Sequence, residues 1–409
     1  MHFPFNLTLV TSFGFVAVAT LGCRAPKVET PAEAPAPPPS VSCKPEGAAE
    51  ILKHPDPARR VVCAIDAGSR NVKLIVSSVV GGDLKTFRNE RQCRARLQLA
   101  DRTTDKATGA ARALAGADED ALVEVLSAYS ARCVGDGGQV TGAVATEWAR
   151  RLPNAAEAQA SLEKRSGVHV EILAREEEAR FGYVAATRGE KGKLVLDFGS
   201  RSLQLSFWGK TAAAPVVLGI PLGIDAAGDR FFGKGAAASY TAGQTALKQA
   251  LRAELEPFFA KVREARGKGE LGGELYSLGE NGDLVLALDG KLWSGTPPHA
   301  VSEGAYNAAV KGFAPSRDVN RGLIVAAMTP QHLAEPAQLL EQNSALFEDL
   351  RGAGLKRVYG NKMLVYPALI ALLEAELDLD LVVLVPQEMA DGVLYDRLKP
   401  QPTAVGAVP

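Results

Sequence analysis

The feature that most narrows the fold is a phrase that occurs twice. VVCAIDAGSRNVKLIV, Val61 to Val76, passes from an apolar strand through an Asp and a tight Gly-Ser turn into a second alternating strand, and LVLDFGSRSLQLSF, Leu194 to Phe207, repeats that grammar. The two Asp residues, Asp66 and Asp197, are a domain's length apart. One such hairpin carries little information, because Asp and Gly favour turns for conformational reasons alone. Two at this spacing describe two related α/β units with both turns lining a cleft between them. Each turn then offers backbone N–H groups to an anion, and each strand-end Asp offers a carboxylate to a divalent cation, directly or through water. Opposed turns of this kind suit a chain of phosphates.

Alternation predicts strands at Val61 to Asp66, Asn71 to Val79 and Leu84 to about Leu97, with Gly81-Gly82 turning between the last two. Leu122, Val125, Leu126 and Tyr129 share one face of a helix, and a short strand follows near Val140 to Ala145. Asn154 with Glu157 predicts a capping-box start for a helix that Gly167 ends. VHVEIL alternates as a strand and EEEARFGYVAA has the character of a helix. At Leu194 the order begins again, with a third strand at Pro215 to Ile220.

At 409 residues the chain exceeds one ordinary core. Its N-terminus differs in kind from the rest. Leu7 to Gly22 is apolar, too short to span a bilayer, and closes on small residues before Cys23. T-L-G-C resembles the processing box of exported bacterial lipoproteins, in which Cys23 becomes the lipidated first residue; plain secretion, a mis-set start and an uncleaved anchor are the alternatives. Nine of the 24 prolines fall between Pro26 and Pro57, so this stretch is expected to be an extended tether. The expected organisation is a signal peptide over 1–22, a Pro/Ala-rich linker over 23–57, domains over 58–188 and 189–397, and a tail over 398–409. A formal net charge of -1 gives no overall pull toward nucleic acid or an anionic membrane. Nucleic acid is therefore not an expected partner, membrane contact is expected through the lipid anchor only, and anion binding must be local. Cys43, Cys63, Cys93 and Cys133 lack metal-ligand spacing; a disulfide is compatible with export, but the sequence assigns no pairing. The five scattered histidines support neither a metal cluster nor a Ser-His-Asp triad.

The order of motifs resembles the exopolyphosphatase and guanosine pentaphosphate phosphatase (Ppx/GppA) family, of the actin-like ATPase superfamily. AIDAGSRNVKLIV resembles its first loop, VATEWARRLPN its A-T-x-x-x-R-x-x-x-N segment with Arg150 and Asn154 in place, and VEILAREEEARFGYVAA its passage ending in E-E-A-R. LVLDFGSRSLQLSF is similar to the second loop, and YPALIALLEAELDLDLVVLVPQEMADGVLYD to the closing helix, strand and R-E-G-x-L element. The likeness runs over about residues 58 to 397. It implies the short two-domain form: two actin-like (ribonuclease H-like) α/β domains, each a mixed five-stranded sheet with flanking helices, with the active site in the cleft between them.

The implied activity is hydrolysis of the terminal phosphate of inorganic polyphosphate, or of a phosphorylated nucleotide such as guanosine pentaphosphate, assisted by Mg2+ or another divalent cation. The resemblance places the water-activating base at Glu178, a phosphate fork at Arg150, and a further catalytic position at Gln204. Asp66 and Asp197 are the metal candidates, Asp197 also counting as catalytic. Gly68, Ser69, Arg70, Asn71, Gly199, Ser200, Arg201 and Ser202 would hold phosphate. Two loops depart from the family pattern. Arg70 and Asn71 stand for Asn and Ser; Ser200 and Arg201 replace two glycines, Leu203 replaces Thr, and Gln204 replaces an acid. Lost glycines restrict backbone approach to phosphate, whereas a guanidinium at each loop can bind phosphate from its side chain. The alternative reading is accordingly a catalytically weak or inactive lipoprotein that binds polyphosphate or a nucleotide on the same fold; a kinase of the superfamily is the third. Export would place the chain in the cell envelope, on the periplasmic side of a membrane, away from a cytoplasmic nucleotide messenger, which favours polyphosphate. A homodimer is compatible with either.

Overall fold

The computed structural model describes residues 41–44, 57–105, 108–279, 327–328, 337, 340–342, 344, 347–348, 357–385 and 387–399. In chain order the first lobe contains β1 (Val41–Lys44), β2 (Arg59–Ala67), β3 (Asn71–Val80), β4 (Asp83–Arg96), α1 (Leu99–Arg102), α2 (Ala117–Gly135), β5 (Gln139–Ala145), α3 (Glu147–Arg150), α4 (Ala155–Ser166), β6 (Val170–Ile172) and α5 (Arg175–Thr187). The second contains β7 (Lys193–Phe198), β8 (Leu203–Trp208), β9 (Val216–Ile220), α6 (Ile224–Ala227), a π-helical turn at Gly228–Phe232, α7 (Tyr240–Gly267), β10 (Glu274–Leu278), β11 (Ala327–Met328), α8 (Arg357–Leu377), β12 (Leu381–Val385) and α9 (Met389–Leu398).

The two sheets repeat one plan. In the first, ordered β1-β4-β3-β2-β5-β6, β2 pairs antiparallel with β3, β3 with β4, and β2 continues in parallel to β5 and β6. In the second, ordered β11-β12-β10-β7-β8-β9, β7 stands where β2 does: antiparallel to β8, then β9, and parallel on its other side to β10 and β12. Helices over both faces explain why β2 is an apolar run instead of a half-polar alternation. Cys63, Ile65 and Ala67 join the core under α2, with Leu122, Val125 and Leu126, while Val62 and Ala64 turn the other way, against Ala390 and Leu394 of α9.

Four expectations need correction. The described sheets have six strands each, not five. The sixth strand of the first lobe comes from the segment expected to be a tether: Val41–Lys44 pairs antiparallel with β4, in register Cys43 to Cys93, and a disulfide joins those two residues. A second disulfide, Cys63–Cys133, ties β2 to the last turns of α2. The second-domain boundary also shifts, because α9 leaves its sequence neighbours and packs on β2 and α5 of the first lobe. That contact requires Gly392, where a Cβ would lie 1.9 Å from the Phe181 carbonyl oxygen. Finally, Asn154 precedes α4 but does not cap it with its side chain. Its amide bridges the Leu114 backbone instead, accepting from the N–H at 3.1 Å and donating to the carbonyl at 3.0 Å. Gly167 ends α4 in the left-handed region as expected, with φ of 70°. The expected signal peptide, Cys23 and residues 400–409 of the tail lie outside the described residues.

Candidate active site

The site grows from the two hairpins. Asp66 near the end of β2 is paired in register with Lys73 of β3, and Asp197 of β7 with Gln204 of β8. Two residues past each Asp a glycine closes the turn: the Gly68 N–H donates to the Asn71 carbonyl and the Gly199 N–H to the Ser202 carbonyl, both at 3.0 Å. The sequence repeat is therefore a repeat of register. Both turns are braced from outside by the start of a short helix. Gln98 and Ala100, at the start of α1, donate to the carbonyls of Arg70 and Ser69 at 2.8 and 2.9 Å; Ile224 and Asp225 of α6 donate to those of Gly199 and Ser200 at 2.9 and 3.2 Å.

Both turns line one cavity of about 160 Å³, into which Asp66, Gly68, Ser69, Arg70, Asn71, Glu178, Asp197, Gly199, Ser200, Arg201 and Ser202 all project. Eleven of the thirteen protein positions expected from the sequence to form the site thus meet in one place. Arg150 and Gln204 do not line it. Arg150, expected to grip phosphate, is spent on protein acceptors: it donates to Glu178 Oε2 at 2.7 Å, to Glu147 Oε2 at 2.9 Å and to the Leu173 carbonyl at 2.7 Å. Gln204 is buried beneath Ser202 and donates to its hydroxyl at 2.8 Å, while that hydroxyl points on to Glu178 Oε1 at 3.5 Å. Neither residue lines the cavity; both hold groups that do, Glu178 and Ser202.

Glu178 sits in the first turn of α5, where three successive acids meet the favourable end of the helix dipole. Unlike an acid on a solvated face it is buried. Burial raises its pKa above the usual carboxylate value, and the Arg150 guanidinium opposes that rise. One turn further along α5, Gly182 faces Asp197; a Cβ there would come 3.3 Å from Oδ2. A glycine lets the helix lie directly against the carboxylate.

Other cavity residues were not singled out from the sequence, Lys73 and Glu388 among them. Lys73 donates to Glu388 Oε2 at 2.5 Å, across 315 positions of chain. Burial lowers the Lys73 pKa, but Glu388 and Asp66 more than offset this and leave it raised. The register gave a signal for Lys73, seven residues after Asp66 as Gln204 is after Asp197. Glu388 carried none: the closing G-x-L falls on Gly392, Val393 and Leu394, which puts Asp391, not Glu388, on the acid of the R-E-G-like element.

The carboxylates provide a test of fit for a divalent cation. Asp66 Oδ1 is buried without a hydrogen-bond partner. Burial drives the Asp66 pKa up to about 7, with Lys73 opposing and Glu388 and Glu178 adding to it. Asp197 is driven up to about 8 by burial and then by Glu178 and Glu388, with Lys73 opposing. Buried carboxylates that hold their protons this tightly, with other acids beside them, are stabilised in the ionised form by a cation. Among the described residues no three His, Cys, Asp or Glu side chains form a ready ligand group. Mg2+ suits such a site, because it keeps several waters and takes one or two carboxylates with substrate oxygens. Asp66 and Asp197 fit that role.

The arginines that replace family residues at the turn tips run crosswise. Arg70 Nε of the first turn lies 2.6 Å from Asp225 Oδ2 on α6, and Arg201 of the second turn donates to Asp101 Oδ1 on α1 at 2.6 Å. Each tip is thereby joined to the helix that braces the other.

A model of the Ppx/GppA phosphatase family matches residues 75–279, just over half of the chain. The solved structure of the Aquifex aeolicus PPX-GPPA enzyme is similar at a TM-score of 0.57 and 18% identity, covering 83% of this chain and 99% of that one. An exopolyphosphatase from Cytophaga hutchinsonii is similar at 0.59 and 13%, covering 83% and 98%, and an exopolyphosphatase-like protein at 0.53 and 16%, again covering 83% and 98%. At these identities the neighbours establish the fold, an actin-like pair of α/β lobes. The matching family model, the duplicated hairpins and the shared architecture together show that the chain belongs to the Ppx/GppA phosphatase family.

Proposed function

We propose that the chain is a phosphoanhydride hydrolase that removes the terminal phosphate of inorganic polyphosphate. The observation that carries this reading is Glu178, buried with a raised pKa, fixed by Arg150 at 2.7 Å and facing a cavity walled by both Asp-Gly turns. A carboxylate so placed can take a proton from water at a pH where an ordinary one is a weaker base. Water attacks the terminal phosphorus, its proton passes to Glu178, the P–O–P bond opens on the far side, and orthophosphate and a shortened chain remain. Ser202 orients Glu178 Oε1 and Gln204 orients Ser202. Among the described residues, no backbone carbonyl accepts from the N–H groups of Ser69, Arg70, Ser200 or Arg201, which leaves four turn-tip donors for phosphoryl oxygens. A divalent cation at Asp66 and Asp197 would neutralise charge on those oxygens. Lys73, held by Glu388, adds a positive charge beside them.

Localisation in the envelope, with Cys23 lipidated, is part of the proposal. Its support is the Leu7–Cys23 sequence and two disulfides, which persist in oxidising compartments. The test of activity is phosphate release from long-chain polyphosphate with Mg2+ by wild type and Glu178→Gln. Loss of 10²–10⁴ in kcat is expected from removal of a general base; equal rates would remove Glu178 from the mechanism. The second reading, a binding protein without turnover, is favoured by Gln204 in place of the family's acid. Saturable polyphosphate binding in a calorimeter with no phosphate released would establish it.

A further inference from the structure

Arg201 stands on the boundary of two cavities. It lines the cleft that holds Glu178 and also a neighbouring space of about 300 Å³, to which Thr103, Trp148 and Arg151 contribute. The opposite wall is continuous as well: Thr146 faces the first cavity and Glu147, next in the chain, the second. The neighbouring space can accept an anion because its one carboxylate is already neutralised. Both oxygens of Glu147 accept from Arg175, at 2.9 and 3.0 Å, and Oε2 also accepts from Arg150 at 2.9 Å. Their hydrogen bonds hold its pKa below the usual carboxylate range against the cost of burial. Arg151 brings a guanidinium with five donors, one of which reaches the Gly109 carbonyl at 3.3 Å. Thr103 and Thr104 add no donor, since both hydroxyls bond carbonyls of α1.

The two crosswise ion pairs differ in how readily they open. Arg70 and Asp225 are largely buried, and separating them would leave a buried charge alone. Asp101, by contrast, is half exposed, and Arg201 is partly exposed. An exposed pair of this kind is weak, whereas a guanidinium gripping phosphate can form two parallel charge-assisted bonds. The Arg201–Asp101 pair is therefore the one of the two that is open to competition by phosphate.

We propose that the cavity beyond Arg201 holds phosphates further along the chain from the scissile bond, so that Arg201 sets chain-length preference and Asp101 is its resting counter-ion. This rests on the polyphosphate reading. The experiment compares kcat/KM for tripolyphosphate and for long-chain polyphosphate in the full chain, as wild type, Arg201→Gln and Asp101→Asn. The long-to-short ratio is expected to fall roughly tenfold in Arg201→Gln, the loss of one charge-assisted hydrogen bond, and to rise in Asp101→Asn, which frees the guanidinium. Shifts in the same direction would make the pair a structural tie only and overturn the proposal, as would an unchanged ratio in Arg201→Gln. Should wild type neither cleave nor bind polyphosphate, the substrate reading itself fails; cleavage with unaltered ratios defeats only the role of Arg201.

Discussion

Glu178 is under two opposing pressures, and their balance can be measured. Burial holds its proton more tightly and Arg150 loosens it. A general base must be unprotonated, so kcat/KM is expected to fall as pH drops through the Glu178 pKa, with the acid limb above the ordinary carboxylate value. Replacing Arg150 by Gln removes the opposing charge and should shift that limb to still higher pH, read from kcat/KM profiles of both proteins. If Arg150 served phosphate instead, KM would rise and the limb would stay in place. The family motif located Glu178 and Arg150 but not their relationship, because a sequence position does not say which nearby anion a guanidinium will choose. Burial decides it: a carboxylate inside the fold demands a cation more than a solvated phosphate does. Lys73 escaped notice because a lysine in an alternating strand resembles one on a solvated face, and its partner Glu388 is 315 residues away.

At the level of elements, α9 shows the same interplay of burial and charge. Its Asp391 is 3% exposed, accepts from the Glu388 N–H at 2.7 Å through Oδ2, and leaves Oδ1 without a partner. Burial raises its pKa to about 6, with the Glu388 N–H and Asn89 opposing, Glu388's charge adding and Arg188's opposing. The folded state thus holds this proton more tightly than the unfolded chain. The stability it confers is fully present below the unfolded value near 4, and is lost as pH rises through about 6. Asp391→Asn, which never ionises, should remove a pH dependence on the order of 2–3 kcal/mol between pH 4 and 8, measured by urea unfolding across that range; an identical slope in the variant would contradict it. Regular elements with several turns or several alternating residues were legible: β2 to β5, α2, α4, α5 and the restart at β7 all lie where the pattern places them. β1 was not, because four residues among prolines carry no periodicity, and what makes them a strand is the edge of β4 and the Cys43–Cys93 link.

Across the described residues, stability rests on the packed cores of the two lobes and on two disulfides. Cys63–Cys133 closes a 70-residue separation between the central strand and α2. By loop entropy such a link stabilises by about 4 kcal/mol, with 2–5 typical of native bridges. The Cys63→Ser, Cys133→Ser double variant should lose an amount in that range, visible as a lower urea midpoint with Cys43–Cys93 intact; an unchanged midpoint would show that the core alone suffices. The duplicated plan was legible from Asp66 and Asp197 because the same turn chemistry was written twice. The crossing of α9 was not, since its contacts join residues hundreds of positions apart: Ala390 and Leu394 against Val62 and Ala64, and Gly392 against the Phe181 carbonyl. That crossing makes one face of the first lobe depend on the last described helix. Val62, Ala64 and Ile75, near the start of the lobe, share one buried cluster with Phe87 of β4 and with Ala390 and Leu394 of α9. Removal of α9 would therefore uncover one face of the first lobe's sheet, at the far end of the sequence from the deletion.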